Sequence, residues 1–256
     1  MKRTRKHKLG IVLSGGAARG FAHPGVLKAL HEFNMEPEII AGASAGAIAG
    51  GFYADGYEPE EILELFKGKR FLDLARLRMG KTGLLEVEGL RKLLRKNMRA
   101  KDFDGLKKEF VVSVTNFRTG EAEYLTEGDL VESIIASSSI PVLFTPVKLN
   151  GKLYIDGGVV DNFPVGPIRE KCKKLVGVAV NPIGEEKGSV SMISMSVRAF
   201  HLSMAAGMKY KRDEVDIYIE PEKLKDFSLL DVKAGDKMFK IGYEAAREVL
   251  SGKSSR

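Results

Sequence analysis

Ser44 stands at the centre of Gly42-Ala43-Ser44-Ala45-Gly46, directly after the apolar run Ile39-Ile40-Ala41 and before a helix-forming run from Ala47 to Tyr53. A strand that turns sharply into a helix exposes one hydroxyl at its tip only when small residues stand two places either side, where Cβ atoms would clash. The pattern offers a nucleophile elbow; its structural alternative is a small-residue turn that lets helix and strand pack closely. Upstream, Ser14-Gly15-Gly16-Ala17-Ala18-Arg19-Gly20 joins an apolar run to a helical one. Backbone N–H groups of such a loop can converge on an anion, either a phosphate or the oxyanion of an acyl transfer. A P-loop would end in Gly-Lys-Ser/Thr, and Ala17 breaks the G-x-G-x-x-G spacing of a dinucleotide fingerprint. Downstream, Leu153-Tyr154-Ile155-Asp156-Gly157-Gly158 ends an apolar strand on a carboxylate, which positions Asp156 as a general base or, in isolation, as a turn residue. Open α/β sheets bind ligands beyond the C-terminal ends of their strands, so the tips at Ser14, Gly42 and Asp156 can converge.

The elements that must position these groups follow from periodicity. Strands are expected near 9–13 and 37–42, with helices near 19–33 and 45–55, a βαβα start that favours a parallel sheet between helices. Residues 58–100 read as mostly helical and basic, and strands follow near 109–116 and 121–125, the second a hairpin partner of the first. A helix near 129–138 stops before Pro141. Strands near 145–149 and 152–156 flank Asn150-Gly151, a dipeptide suited to a type I′ turn. A strand near 174–180, a Met-rich helix at 191–210, a strand near 215–219 and a helix near 236–250 complete the chain. The fold class is α/β, a three-layer α/β/α sandwich with a mostly parallel central sheet. Its one domain spans 9–250 with 58–101 a basic, cap-like helical segment, between frayed tails at 1–8 and 251–256.

Composition bounds the rest. At 256 residues and 44% apolar content the chain suits a single α/β domain with a substantial core. The lone Cys172 excludes an intramolecular disulfide and agrees with a reducing compartment, hence a cytoplasmic protein. The histidines and the cysteine show no zinc-ligand spacing and no EF-hand pattern is present, so neither metal nor cofactor is expected. The N-terminal basic run precedes only a short apolar stretch, too short for a secretory signal, and no run approaches a membrane span. The net charge of +7 is uneven: residues 67–101 carry twelve Lys and Arg against Asp73, Glu86 and Glu88, a local excess of +9. Such a segment, with Phe71, Leu72, Leu74, Leu77 and Met79 among its charges, suits peripheral contact with an anionic membrane, or is simply a solvated helix face.

Taken together, the residues from Leu13 to Leu30, the Gly42–Gly46 elbow, Ala136-Ser137-Ser138-Ser139-Ile140-Pro141 with Phe144 and Pro146, and Asp156-Gly157-Gly158 with Asn162 and Pro164 resemble the patatin-like phospholipase family, over roughly residues 8–220. The resemblance implies that Ser44 is the nucleophile and Asp156 the base of a Ser-Asp dyad, and that Gly15, Gly16 and Ala17 form the oxyanion hole. Arg19, Gly20, Gly42, Gly46, Gly157 and Gly158 would support the motifs, Arg19 by orienting the loop. Ala17 stands where many members have glycine, and would be strained if that position needs a positive φ. The implied substrate is a lipid ester, a phospholipid or lysophospholipid. A general carboxylesterase or thioesterase, or a non-catalytic lipid-binding protein on the same fold, is the alternative. No nucleic acid is expected as partner, and oligomeric state is not legible. His201 follows Asp156 in the Ser, Asp, His order of a triad, but lies in a helical stretch where Met195, Phe200, Met204 and Met208 suggest a packed face. His23 reads as a support for the oxyanion loop. Leu143, Phe144, Phe163 and the methionines of 192–208 are candidates to line an acyl cleft.

Overall fold

In the computed structural model, residues 6–67, 87–185 and 190–252 are described. Of the basic segment 58–101 expected to form a cap, residues 68–86 fall outside the described residues, as do residues 1–5 of the N-terminal tail and residues 253–256.

Strand β1 (His7–Leu13) starts two residues earlier than its apolar run. A 3-10 turn at Ala17–Phe21 leads into α1 (Ala22–Glu32), then β2 (Ile39–Ala43), α2 (Ala45–Ala54) and α3 (Pro59–Lys67). After α4 (Glu88–Asn97) come β3 (Glu109–Asn116), β4 (Ala122–Leu125) and α5 (Leu130–Ser137). The hairpin β5 (Val147–Leu149) and β6 (Lys152–Asp156) follows. Asn150 and Gly151 have φ of 48° and 79°, the paired positive values that a type I′ turn requires. A short α6 (Gly166–Arg169), unforeseen in the sequence, precedes β7 (Cys172–Val178), α7 (Met192–Lys209), β8 (Ile217–Ile219) and α8 (Gly235–Leu250).

The sheet order is β5-β6-β3-β2-β1-β7-β8, with β4 also paired to β3. Along β3-β2-β1-β7-β8 every pairing is parallel, while β4 and β6 pair antiparallel with β3 and β5 pairs antiparallel with β6. Period-two alternation divides the core. Leu9, Ile11 and Leu13 of β1 join the larger apolar cluster with α1, α2, α3 and α8. Val12, Ile39 and Ala41 face the smaller cluster with Ile168 of α6 and Met208 of α7. Helices thus cover both faces, as a parallel sheet requires. Every residue of α2 is buried, which explains why it is apolar all round. Among the described residues no helix is long and apolar enough to cross a membrane.

One pairing positions the site. Ala43, the last residue of β2, pairs with Ser113 of β3, and Asp156, the last of β6, pairs with the next residue, Val114. Because β4 occupies the opposite edge of β3 at both registers, β2 and β6 lie along the same edge and meet head to head. Where the chain leaves the sheet at Ser44, the antiparallel strand enters the vacated lane and ends on Asp156.

Candidate active site

Ser44 has φ 50° and ψ −120°, a conformation rare for a residue with a Cβ. The fold holds it there. A Cβ on Gly42 would sit 2.6 Å from the Gly46 carbonyl oxygen, and one on Gly46 would sit 2.1 Å from that of Leu13, so neither place accepts a side chain. The Ser44 N–H donates to Ser137 Oγ at 2.9 Å, and the Ser137 hydroxyl donates to the Ser113 carbonyl at 2.6 Å. The Ser44 carbonyl accepts the first helical bond from Ile48 N–H.

Asp156 is fully buried. Its Oδ1 accepts the Gly158 N–H at 2.7 Å, and Oδ2 has no hydrogen-bond partner among the described residues. The Ser44 hydroxyl is its side-chain neighbour. Burial pushes the carboxyl up to about 7, against the opposing influence of the Ser44 hydroxyl and the Gly158 N–H, which favour the charged form. Gly157 continues the strand end into a 3-10 turn, packed against the Ser113 carbonyl.

The glycine loop is clamped from several sides. Gly15 N–H donates to Asn162 Oδ1 at 3.1 Å, the Gly15 carbonyl accepts from Asn181 Nδ2, and Ser14 Oγ accepts the Val180 N–H. Of the three residues expected to form the oxyanion hole, Gly15 therefore has its N–H engaged, while those of Gly16 and Ala17 meet no acceptor among the described residues. Ala17 has φ 47°, the strained value anticipated for it. Gly20 packs against Ala45 at the start of α2. Arg19 spans outward: Nε and Nη2 donate to the Phe227 carbonyl and Nη1 to that of Pro182, tying the loop to two later segments.

Neither histidine joins Ser44 to Asp156. His23 Nε2 donates to the Ser14 carbonyl at 2.8 Å, and burial lowers its pKa to about 4, so it is a neutral brace for the loop. His201 is buried beside Arg19 and Arg198, with its pKa lowered to about 4 by burial first and those guanidiniums second.

A cavity of about 180 Å³ opens beside Ser44, walled by Phe21, Ile48, Phe66, Leu90, Leu143 and Phe144 among others. A smaller one of about 20 Å³, lined by Gly16, Ala17, Val197, Phe200 and Met204, also reaches Ser44. Leu143 and Phe144 line the site as expected. Phe163 instead packs in the core cluster on the other face of the sheet, and Met208 lies with it, its sulfur accepting from Asn162 Nδ2. Met195 is exposed on α7, not packed. Sequence reasoning missed Asn181 and the role of Ser137. Asn181 follows the end of β7, so inspecting the residues beyond every strand end would have found it.

With this geometry, likeness to known proteins becomes informative. The sequence profile of the patatin-like phospholipases matches residues 11–168. The chain belongs to the patatin-like phospholipase family. The lysophospholipase NTE1 of Kluyveromyces lactis is 26% identical over 275 residues, covering 94% of this chain but 19% of that protein. An uncharacterised NTE family protein of Mycobacterium bovis is 30% identical over 184 residues, 71% of this chain and 51% of that one. The patatin-like chain thus spans about a fifth of the length of the fungal relative. The crystal structure of VipD from Legionella pneumophila superposes with a TM-score of 0.57 over 97% of this chain and 67% of that one, at 18% identity, a likeness of fold.

Proposed function

We propose that this patatin-like chain is a serine acyl hydrolase of lipid carboxylic esters, phospholipid or lysophospholipid, working through a Ser44–Asp156 dyad. The observation that supports the reading is the head-to-head meeting of β2 and β6, which sets a buried carboxylate with a pKa near 7 beside a strained serine that lines an apolar cavity. A base with a pKa near working pH combines the right protonation state with useful driving force.

Asp156 accepts the Ser44 proton as Oγ attacks the ester carbonyl. The Gly16 and Ala17 N–H groups receive the oxyanion, and the alcohol leaves with the proton returned by Asp156. Water, deprotonated by the same carboxylate, then cleaves the acyl-enzyme and regenerates Ser44. Arg19 and His23 position the loop and touch no reacting atom. The acyl chain occupies the larger cavity. On this reading residues 9–250 act as one catalytic domain on the cytoplasmic side, in keeping with a single, buried thiol.

Peripheral contact with an anionic membrane through 67–101 belongs to the same reading, but the described ends of that segment add little. Lys67 pairs with Glu64 and Asp236, and Arg91 and Arg95 pair with Glu132 and Asp129, leaving Lys92, Lys96 and Lys101 among its exposed cations.

The test is fluorophosphonate labelling together with hydrolysis of short esters, lysophospholipids and diacyl phospholipids. Ser44→Ala should abolish labelling, and Asp156→Asn should reduce both labelling and turnover by at least ~100-fold. Labelling of Ser44→Ala equal to that of the unsubstituted chain would refute the assignment. A preference confined to short esters would favour a general carboxylesterase.

A further inference from the structure

Helix α8 shows what a surface helix of this protein looks like: its exposed residues are Asp236, Lys237, Lys240, Glu244, Arg247 and Glu248, all charged. Helix α7 breaks that rule. Its inner side supplies Val197, Phe200 and Met204 to the wall of the small cavity at Ser44. Its outer side exposes Met192, Met195, Ala199, Leu202 and Ala206, spaced by three and four residues, and its one exposed charge is Lys209. Met192 is 80% exposed, Met195 52% and Leu202 44%. A helix apolar on both sides is normally covered on both.

Charge identifies what covers it. Residues 190–212 contain no Asp or Glu in a chain that has 34; the acids that bound the stretch in sequence are Glu186 before it and Asp213 after it, and the stripe ends at exposed Lys209, Tyr210 and Arg212. An apolar stripe closed by cations and a tyrosine 83% exposed has the chemistry of the boundary between lipid tails and anionic headgroups. Leu230, 53% exposed, lines the same small cavity as Val197 and Phe200, so apolar surface is presented at the cavity too.

We propose that the outer face of α7 is the docking surface of this protein for an anionic lipid bilayer, seating the helix against the headgroup boundary with the cavity at Ser44 beside it. The proposal rests on the lipid-ester reading of that site and adds α7 to the membrane contact proposed for the basic segment 67–101.

The experiment is co-sedimentation with phosphatidylcholine vesicles, with and without phosphatidylglycerol, for the full chain, the double variant Met195→Glu/Leu202→Glu, and its uncharged counterpart Met195→Gln/Leu202→Gln. The unsubstituted chain should bind, more tightly with phosphatidylglycerol and less tightly at high salt. The Glu variant should lose binding by ~10-fold or more and the Gln variant by less, since both remove buried apolar area and only the first adds repulsion. Hydrolysis of a soluble short ester should stay unchanged in both, because neither side chain lines the site. Equal binding by all three chains overturns the proposal. So does a dimer in light scattering that the Glu variant dissociates without loss of vesicle binding, which would make the stripe a contact between copies. Fluorophosphonate labelling of the unsubstituted chain separates the two readings: vesicle binding without labelling sinks the catalytic assignment alone, and labelling without binding sinks the docking face alone.

Discussion

If Asp156 is the base proposed for it, its ionisation links turnover to stability. Its folded pKa of about 7 lies above the ordinary 3.8, so as pH rises the unfolded chain gives up this proton first. The folded state then binds more protons than the unfolded state between about pH 4 and 7, and stability must fall across that window. At about 1.4 kcal/mol per pH unit the accumulated cost is on the order of 4 kcal/mol above pH 7. Asp156→Asn keeps an acceptor for the Gly158 N–H and removes the charge. It should therefore melt higher than the unsubstituted chain by several degrees at pH 8 and nearly alike at pH 4, while turnover is lost. Thermal melts at the two pH values check this; a variant less stable at pH 8 would show that the carboxylate is not held at a cost. In the unsubstituted enzyme kcat/KM should rise with pH to a plateau, with a midpoint near 7. A profile flat from pH 5 to 8 would count against Asp156 as base.

Elements act on the site through the bonds that lock them together. The elbow between β2 and α2 is held by Ser137, the last residue of α5, whose hydroxyl bridges the Ser44 N–H and the Ser113 carbonyl. Ser137→Ala leaves a buried N–H without an acceptor, a cost of about 1–3 kcal/mol, and frees Ser44 to relax from its rare conformation. Fluorophosphonate labelling should slow by ~10-fold with a lowered melting temperature; an unchanged labelling rate would reduce Ser137 to a purely structural residue. The elements themselves were largely legible. The turn at Asn150-Gly151, the helix stop before Pro141 and the hairpin partner of β3 all depend on local residue chemistry, and each appears as expected. The four-residue α6 was not legible, because so short a helix has no periodicity to detect.

At the largest scale, the proposed function makes the cavity at Ser44 the place where the acyl chain is selected. Ile48 lies one helical turn beyond Ser44 and lines the larger cavity. Ile48→Phe should narrow it, so hydrolysis of long-chain esters falls ~10-fold or more while short esters are spared; equal loss on both would mean that the chain lies elsewhere. The packing of distant parts also rewrote the charge picture. The excess of +9 read along residues 67–101 is partly cancelled by Asp129, Glu132 and Asp236, which lie far away in sequence and fold against its ends.

The chemistry available is written in the order of residues: a serine between small residues, a glycine loop, a carboxylate at a strand end, and the succession of strands and helices that carry them. Those features are local, since backbone sterics and hydrophobic period act over a few residues. It takes the folded sheet to bring Ser44 and Asp156, more than a hundred residues apart, to one edge of β3. The fold likewise commits the Gly15 N–H to Asn162, puts Phe163 across the sheet from the cavity, and turns an apolar face of α7 outward. Each depends on strand register and on burial, and both are set by neighbours distant in the chain. The same burial that costs Asp156 its easy ionisation brings its pKa to the value a general base needs.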